Sequence, residues 1–292
     1  VGSGPYMLTV NNPNLRMVLE RNPNFHGESY PSEGMPDDAE AGLLRDAGKQ
    51  LPFVDKVVYN LEKETIPYWN KFLQGYYDAS GISSDSFDQA VSIGGSGEVG
   101  LTEEMAAKGL KLSTAVETSS FYNGFNMLDP VFGGYSERAR KLRQAVSIAV
   151  DYEEFISIFR NGRGIAGQGP VPPGIFGNRE GEAGINPYVY NWVNGAPQRK
   201  SIVEAKRLLA EAGYANGVDN ETGKPLILNY DITSANKDML DWSRKQLKKL
   251  DIQLMVRDTD YNRFQEKIRE GNTQLFFMGW KADYPDPENI MI

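Results

Sequence analysis

The stretch PLILNYDITSANKDMLDWSRKQLKKLDIQLMVRDTDYNRFQEKIREGNTQLFFMGW, residues 225–280, decides the fold. PLILNYDI reads as a strand and Ala235 to Leu250 as a helix. IQLMVRD reads as a second strand, Tyr261 to Glu270 as a second helix, and QLFFMGW as a third strand. Strand, helix, strand, helix, strand is the grammar of parallel pairs, because a parallel return needs a crossover that a helix supplies. The spacing therefore predicts an α/β lobe.

Ligands of open α/β sheets sit beyond the carboxyl ends of the strands. Just past such an end lies the run Gly279, Trp280, Lys281, Ala282, Asp283, followed by Tyr284-Pro285-Asp286-Pro287. Trp280 serves either as core or as an aromatic wall. Asp283 serves either as a helix N-cap or as a fixed carboxylate. Asp286 and Asn289 are better placed to cap a helix starting near DPEN, which leaves Asp283 for a ligand. Pro285 and Pro287 stiffen the loop and remove two backbone donors. A held carboxylate beside an aromatic wall suits an ammonium group, since the charged hydrogen bond is strong where water is excluded. Two other readings exist. Asp283 with Asp286 is an acid pair of the kind a hydrolase needs. DYPDPEN offers oxygens to calcium but lacks the glycine and regular spacing of a calcium loop.

Upstream, helices start and stop with clear signals. Ser136 to Val150 places Leu142, Ala145, Val146 and Ala149 on one face. Asp151 caps the next helix with Glu154 as its box partner, and Asn161-Gly162 ends it. Ser201 and Glu204 repeat the box, and Gly213 follows the last turn. NGRG at 161–164 imitates a phosphate loop, but it closes a helix instead of opening one. In FYNGFNM, alternation sends Phe121, Asn123, Phe125 and Met127 one way, and Tyr122, Gly124 and Asn126 the other. Tyr122 and Asn126 either line a cleft or belong to an interior strand. The whole run LKLSTAVETSSFYNGFNM reads as extended, as a segment crossing between lobes would be. The expected boundary falls near residue 118, giving regions 1–118 and 119–292.

The first region is strand-rich. GPYMLTV and LRMVLERN flank the turn NNPN. A polar excursion from His26 to Pro52 reads as a surface insertion with a short helix at Ala39 to Ala47. DKVVYNLE is a strand. Ile66, Trp69, Phe72 and Leu73 have helical spacing, closed by Gly75. YDASGI reads as a strand, and Ser84 to Val91 and Thr102 to Lys108 as short helices.

The 292 residues hold no cysteine and one histidine, His26, against thiol chemistry, a multi-histidine metal site or a Ser-His-Asp triad. A net charge of -8 argues against nucleic acid. No apolar run nears the roughly 18 residues of a membrane span. Val1 is not an initiator methionine and Ile292 comes within three residues of an expected helix start around DPEN, so the reading is of a piece of a longer chain or of a chain ordered only in part.

Several runs, in order, resemble the peptide- and nickel-type solute-binding receptors of ABC importers, extracellular solute-binding protein family five. They are VGSGPYMLTV with LRMVLERNPNFHG, FYNGFNMLDPVFGGYSERARKLRQAVSIAVDYEEFI, GPVPPG, EAKRLLAEAGY and GWKADYPDPEN. The likeness covers nearly the whole chain except the insertion near residues 28–50. It implies a bilobal α/β, periplasmic-binding-protein-like fold (type II, cluster C), incomplete at both ends. It implies a monomeric receptor without cofactor, metal or catalysis, held in the periplasm or on a lipid anchor. Such a receptor closes two lobes on a small solute, above all a short peptide, and delivers it to an inner-membrane ABC permease. A nickel chelate, an oligosaccharide or another solute is the alternative within the class. On this resemblance Asp283 pairs with the peptide's amino terminus, and the backbone of Gly279 to Lys281 takes the peptide as an added strand. Trp280 walls a side-chain pocket. FYNGFNM lacks the threonine of the family's usual FNT, and Lys281 sets a cation two residues from Asp283.

Overall fold

The structure is a computed structural model that describes residues 2–62, 65–93, 99–233 and 239–291. The chain divides into two compact units, Val1–Lys111 and Leu112–Ile292. Among the described residues no helix is long and apolar enough to cross a membrane.

In the first unit, β1 (Tyr6–Asn12) and β2 (Arg16–Arg21) form a hairpin. Its turn is closed by Leu15 N–H donating to Asn12 O at 3.0 Å. The two-residue strands β3 (Glu28–Ser29) and β4 (Gln50–Leu51) pair at the base of the acidic excursion. The helix expected at Ala39 to Ala47 is instead a series of turns. Gly42 sits inside that stretch at φ of 71°, a left-handed region a right-handed helix cannot pass through. β5 (Lys56–Asn60) adds to the far side of β2. α1 (Thr65–Leu73) follows and ends at Gly75, φ 81°. The strand expected at YDASGI is not formed; its run of Asp78, Ser80 and Gly81 has little strand propensity. A 3-10 turn (Ser84–Ser86), α2 (Phe87–Ala90), the hairpin β6 (Val91–Ile93) with β7 (Val99–Leu101), and α3 (Glu103–Ala107) complete this unit. Trp69, Phe87, Ala90, Val91 and Met105 make its small core.

In the second unit, β8 is Ser119–Phe125, so only part of the long extended run is strand. α4 (Glu137–Ala149) starts where Ser136 Oγ accepts from Ala139 N, and α5 (Tyr152–Arg160) where Asp151 Oδ1 accepts from Glu154 N. α5 ends at Asn161, left-handed at φ 49°. β9 (Tyr190–Val193) and β10 (Ala196–Arg199) form a hairpin before α6 (Ile202–Glu211), which Ser201 caps. The two expected capping boxes are each half made. The Glu154 carboxylate accepts from Gln246 Nε2 at 2.7 Å and Trp242 Nε1 at 3.3 Å, and Glu204 takes Arg207. At the first box the Asp151 N–H donates to Gln246 Oε1 at 3.4 Å instead, and at the second the charged Arg207 guanidinium holds the Glu204 carboxylate.

Then come β11 (Ile227–Thr233), α7 (Met239–Lys248), β12 (Gln253–Thr259), α8 (Tyr261–Arg269), β13 (Leu275–Lys281) and α9 (Glu288–Met291). The first part of the helix expected from Ala235 lies outside the described residues. The sheet order is β12-β11-β13-β8, parallel except for β8 against β13. One face buries Leu228, Tyr230, Ile232, Leu275 and Phe277 in a single core with Leu142, Val146, Leu209 and Leu247 of the helices. On the other face α8 sends Lys267 to Asp231, which is fully buried and has the Arg257 guanidinium 3.4 Å from its second oxygen. Helices α7 and α8 thus cover opposite faces, as right-handed crossovers require when the chain steps from β11 out to β12 and back over β11 to β13.

Candidate functional site

That reversal of direction lies between β11 and β13, where open α/β sheets keep their crevice. The ladders diverge there. β13 pairs with β8 along its whole length, Leu275↔Phe125 to Lys281↔Ser119. With β11 it pairs only at Tyr230↔Leu275 and Asp231↔Phe276. From Phe277 to Lys281, then, one edge of β13 has no strand beside it among the described residues. Its N–H and C=O groups are the kind an extended chain completes.

Two reciprocal pairs set the shape of this strand. Phe121 lies opposite Gly279, and Gly124 opposite Phe276. A Cβ at Gly279 would overlap the Phe121 ring, and one at Gly124 the Phe276 ring. Each glycine is a seat for the aromatic across from it, one on either face of the sheet. Gly279 therefore has a packing reason for being glycine. Phe121 stacks in turn on Phe277, with centroids 6.2 Å apart.

Trp280 is 43% exposed at the strand end. Its indole N–H donates to Asn289 Oδ1 at 3.0 Å, and the Asp283 backbone N–H donates to the same oxygen at 2.8 Å. Asp286 Oδ1 accepts from Glu288 N at 2.9 Å, so Asp286 starts α9 and Asp283 does not. The Asp283 carboxylate is exposed, and no cation of the described residues lies within ion-pair distance of it. Lys281 turns away to Glu117 at 2.6 Å. Tyr122 is exposed, sits opposite Met278, and shares the sheet face of Trp280.

Asn126 does not join this group. β8 runs antiparallel, so Asn126 lies beside Gln274 at the far end of β13, about 20 Å of strand away. Its amide donates to Gly271 O at 2.9 Å and Thr273 O at 2.7 Å, and its Oδ1 accepts from Leu128 N at 3.0 Å. The expectation that Asn126 lines a cleft is corrected: its side chain is spent fastening the α8–β13 turn. Asn123, on the core face, accepts from the buried Tyr230 hydroxyl at 2.9 Å across β13. Burial pushes the Tyr230 hydroxyl well above its usual range and keeps it a neutral donor.

Asn289 and Asp231 are the residues sequence reading passed over or underused. Asn289 was legible only as a cap. Asp231 had a signal, a lone acid inside an apolar strand, which demands a buried partner.

The profile of the bacterial extracellular solute-binding proteins, family 5 (middle region), matches residues 1–292. Heme-binding protein A of Haemophilus influenzae is 29% identical over 155 residues, 52% of this chain and 25% of that protein. The dipeptide-binding protein of Escherichia coli is 26% identical over 154 residues, 51% of this chain and 25% of that protein. The structure of the periplasmic binding protein DppA from Helicobacter pylori, in complex with the peptide STSA, superposes with a TM-score of 0.62 at 18% identity. That match takes in 99% of this chain and 45% of the other. The chain belongs to the family 5 bacterial extracellular solute-binding proteins, with their α/β fold, and spans less than half the length of these relatives.

Proposed function

We propose that this chain is part of the solute-binding receptor of an ABC importer and that its solute is a short peptide. The receptor works as a monomer in the periplasm or on a lipid anchor and hands its cargo to an inner-membrane permease. The two units contribute to different lobes, with the boundary expected near residue 118 drawn back to Lys111, and closure of the lobes, not chemistry, is the work done. The observation that carries the reading is the edge of β13 left without a strand among the described residues, which ends beside a carboxylate with no cation partner among them and a fixed indole. Backbone pairing along Gly279 to Lys281 gives affinity without regard to sequence. Asp283 takes the peptide's ammonium, and Trp280 with Tyr122 borders a side-chain pocket. The acid-pair alternative loses ground because Asp286 is committed to the α9 turn.

Calorimetry on the intact receptor with trialanine and N-acetyl-trialanine tests this. Asp283→Ala weakens trialanine binding by about 30-fold or more, the usual cost of removing one partner of a desolvated charge pair. Acetylation costs the unmutated receptor as much, and the two losses do not add, because both delete one contact. Equal binding of the two peptides removes the ammonium role. Binding of hemin or a nickel chelate with no peptide binding moves the receptor to another solute of its class.

A further inference from the structure

Two groups the proposed site depends on hang from one side chain. Asn289 Oδ1 accepts both the Trp280 indole N–H at 3.0 Å and the Asp283 backbone N–H at 2.8 Å. A carbonyl oxygen has two lone pairs, and both are used. Asn289 is not needed to start α9, since Asp286 Oδ1 already holds Glu288 N and Asp286 O receives Asn289 N at 3.2 Å. Its side chain is free to reach back across the loop, nine residues to Trp280 and six to Asp283.

Among the described residues no other side-chain hydrogen bond to the Trp280 indole or to the Asp283 amide is present. Trp280 is 43% exposed and lies on a strand end whose one edge has no strand beside it among the described residues. Asp283 lies in a bend outside any helix or strand. An exposed indole left to itself samples several rotamers, and ordering it on binding costs free energy. We propose that Asn289 is a positioning residue that locks the Trp280 ring and the Asp283 backbone into one unit, so that aromatic wall and carboxylate meet the same ligand amine. The consequence for binding rests on the peptide reading above; the clasp itself does not. A fastening of this kind acts on amine recognition as well as on stability, because it fixes where the carboxylate projects relative to the wall.

The test uses the intact receptor and two readouts. The first is hydrogen exchange at the Trp280 indole and the Asp283 amide, followed by NMR. The second is calorimetry with trialanine and N-acetyl-trialanine. In Asn289→Ala both protons exchange at least about tenfold faster, while the buried Trp69 and Trp242 indoles keep their rates. Trialanine binds about tenfold more weakly and acetylated trialanine is little changed, so the preference for a free amine shrinks. Asn289→Asp keeps an acceptor oxygen in the same place and restores both slow exchange and the preference. Unaltered exchange in Asn289→Ala overturns the clasp. Faster exchange with an intact amine preference overturns the positioning role and leaves only a local fastening. A wild-type receptor that does not distinguish the two peptides removes the peptide reading and the positioning role with it, and the exchange rates still decide whether the clasp exists.

Discussion

The β1-β2-β5 sheet of the first unit and the β12-β11-β13-β8 sheet of the second are built from equally strand-like sequence, yet they are buried very differently. In the first, Val18 is the single buried residue, and Met7, Leu8, Val10, Met17, Val58 and Tyr59 are exposed. In the second, four of the seven residues of β11 are buried. The difference lies in the cover. Crossover connections bring α7 and α8 onto both faces of β11, whereas the β1–β2 hairpin and the turn-rich excursion that leads from β2 to β5 lay no helix on β1-β2-β5 among the described residues. Strand propensity builds the sheet; only the connection decides whether it has a core. The energetic weight of the described chain therefore falls on the second unit, and substitutions there carry the larger costs.

The sharpest test is the buried ion pair. Lys267→Met leaves the Asp231 carboxylate in the interior with Arg257 as its one remaining cation among the described residues. Removing one partner of a buried pair typically costs about 3–5 kcal/mol. Urea unfolding followed by tryptophan fluorescence reads the loss. Asp231→Leu combined with Lys267→Met recovers most of it, since an apolar pair of similar volume costs no desolvation. A double variant as unstable as the single one would mean that shape, not charge, holds α8 to the sheet.

The next largest effect comes from the glycine seats. Gly124→Ala forces a methyl into the Phe276 ring. Overpacking of this kind costs roughly 1–3 kcal/mol. Adding Phe276→Leu opens the space and returns part of the stability, a coupling a double-mutant cycle measures. Independent, additive losses would show that the ring does not rest on Gly124.

How much of this was legible beforehand follows the same division. From residue 225 onward each element appears where periodicity puts it, because helices and strands there bury one face against neighbours nearby in sequence. The errors cluster where nothing nearby enforces the pattern. Ala39 to Ala47 has helix-forming residues but buries no apolar face, so its one glycine, Gly42, wins and the chain turns. YDASGI found no strand to pair with. Tyr122, Trp280 and Asp283 come to one end of the sheet because register is fixed by alternation. Asn126 failed because strand direction, which alternation does not reveal, sends it to the other end. The joint hold of Asn289 on residues 280 and 283 was hidden, since a loop that folds back on itself leaves no period.

The smallest predicted effect tests the comparison from its weak side. Val58→Thr keeps a β-branched side chain and its strand propensity, and changes one methyl to a hydroxyl. Val58 is 44% exposed, so in this 292-residue chain the hydroxyl stays hydrated and the cost is within about 0.5 kcal/mol. Ile232→Thr also leaves a β-branched threonine, here by exchanging an ethyl group for the hydroxyl at a fully buried site of β11. There the hydroxyl loses water and apolar volume is lost too, for roughly 2–4 kcal/mol together. Denaturant midpoints of the two variants measure the contrast directly. A cost at Val58 approaching that at Ile232 would show that the first sheet is covered after all. Should that cost appear only in a longer polypeptide, the added residues supply the cover that the connections of this sheet withhold, and the exposed methyls of β1, β2 and β5 are the surface they bury.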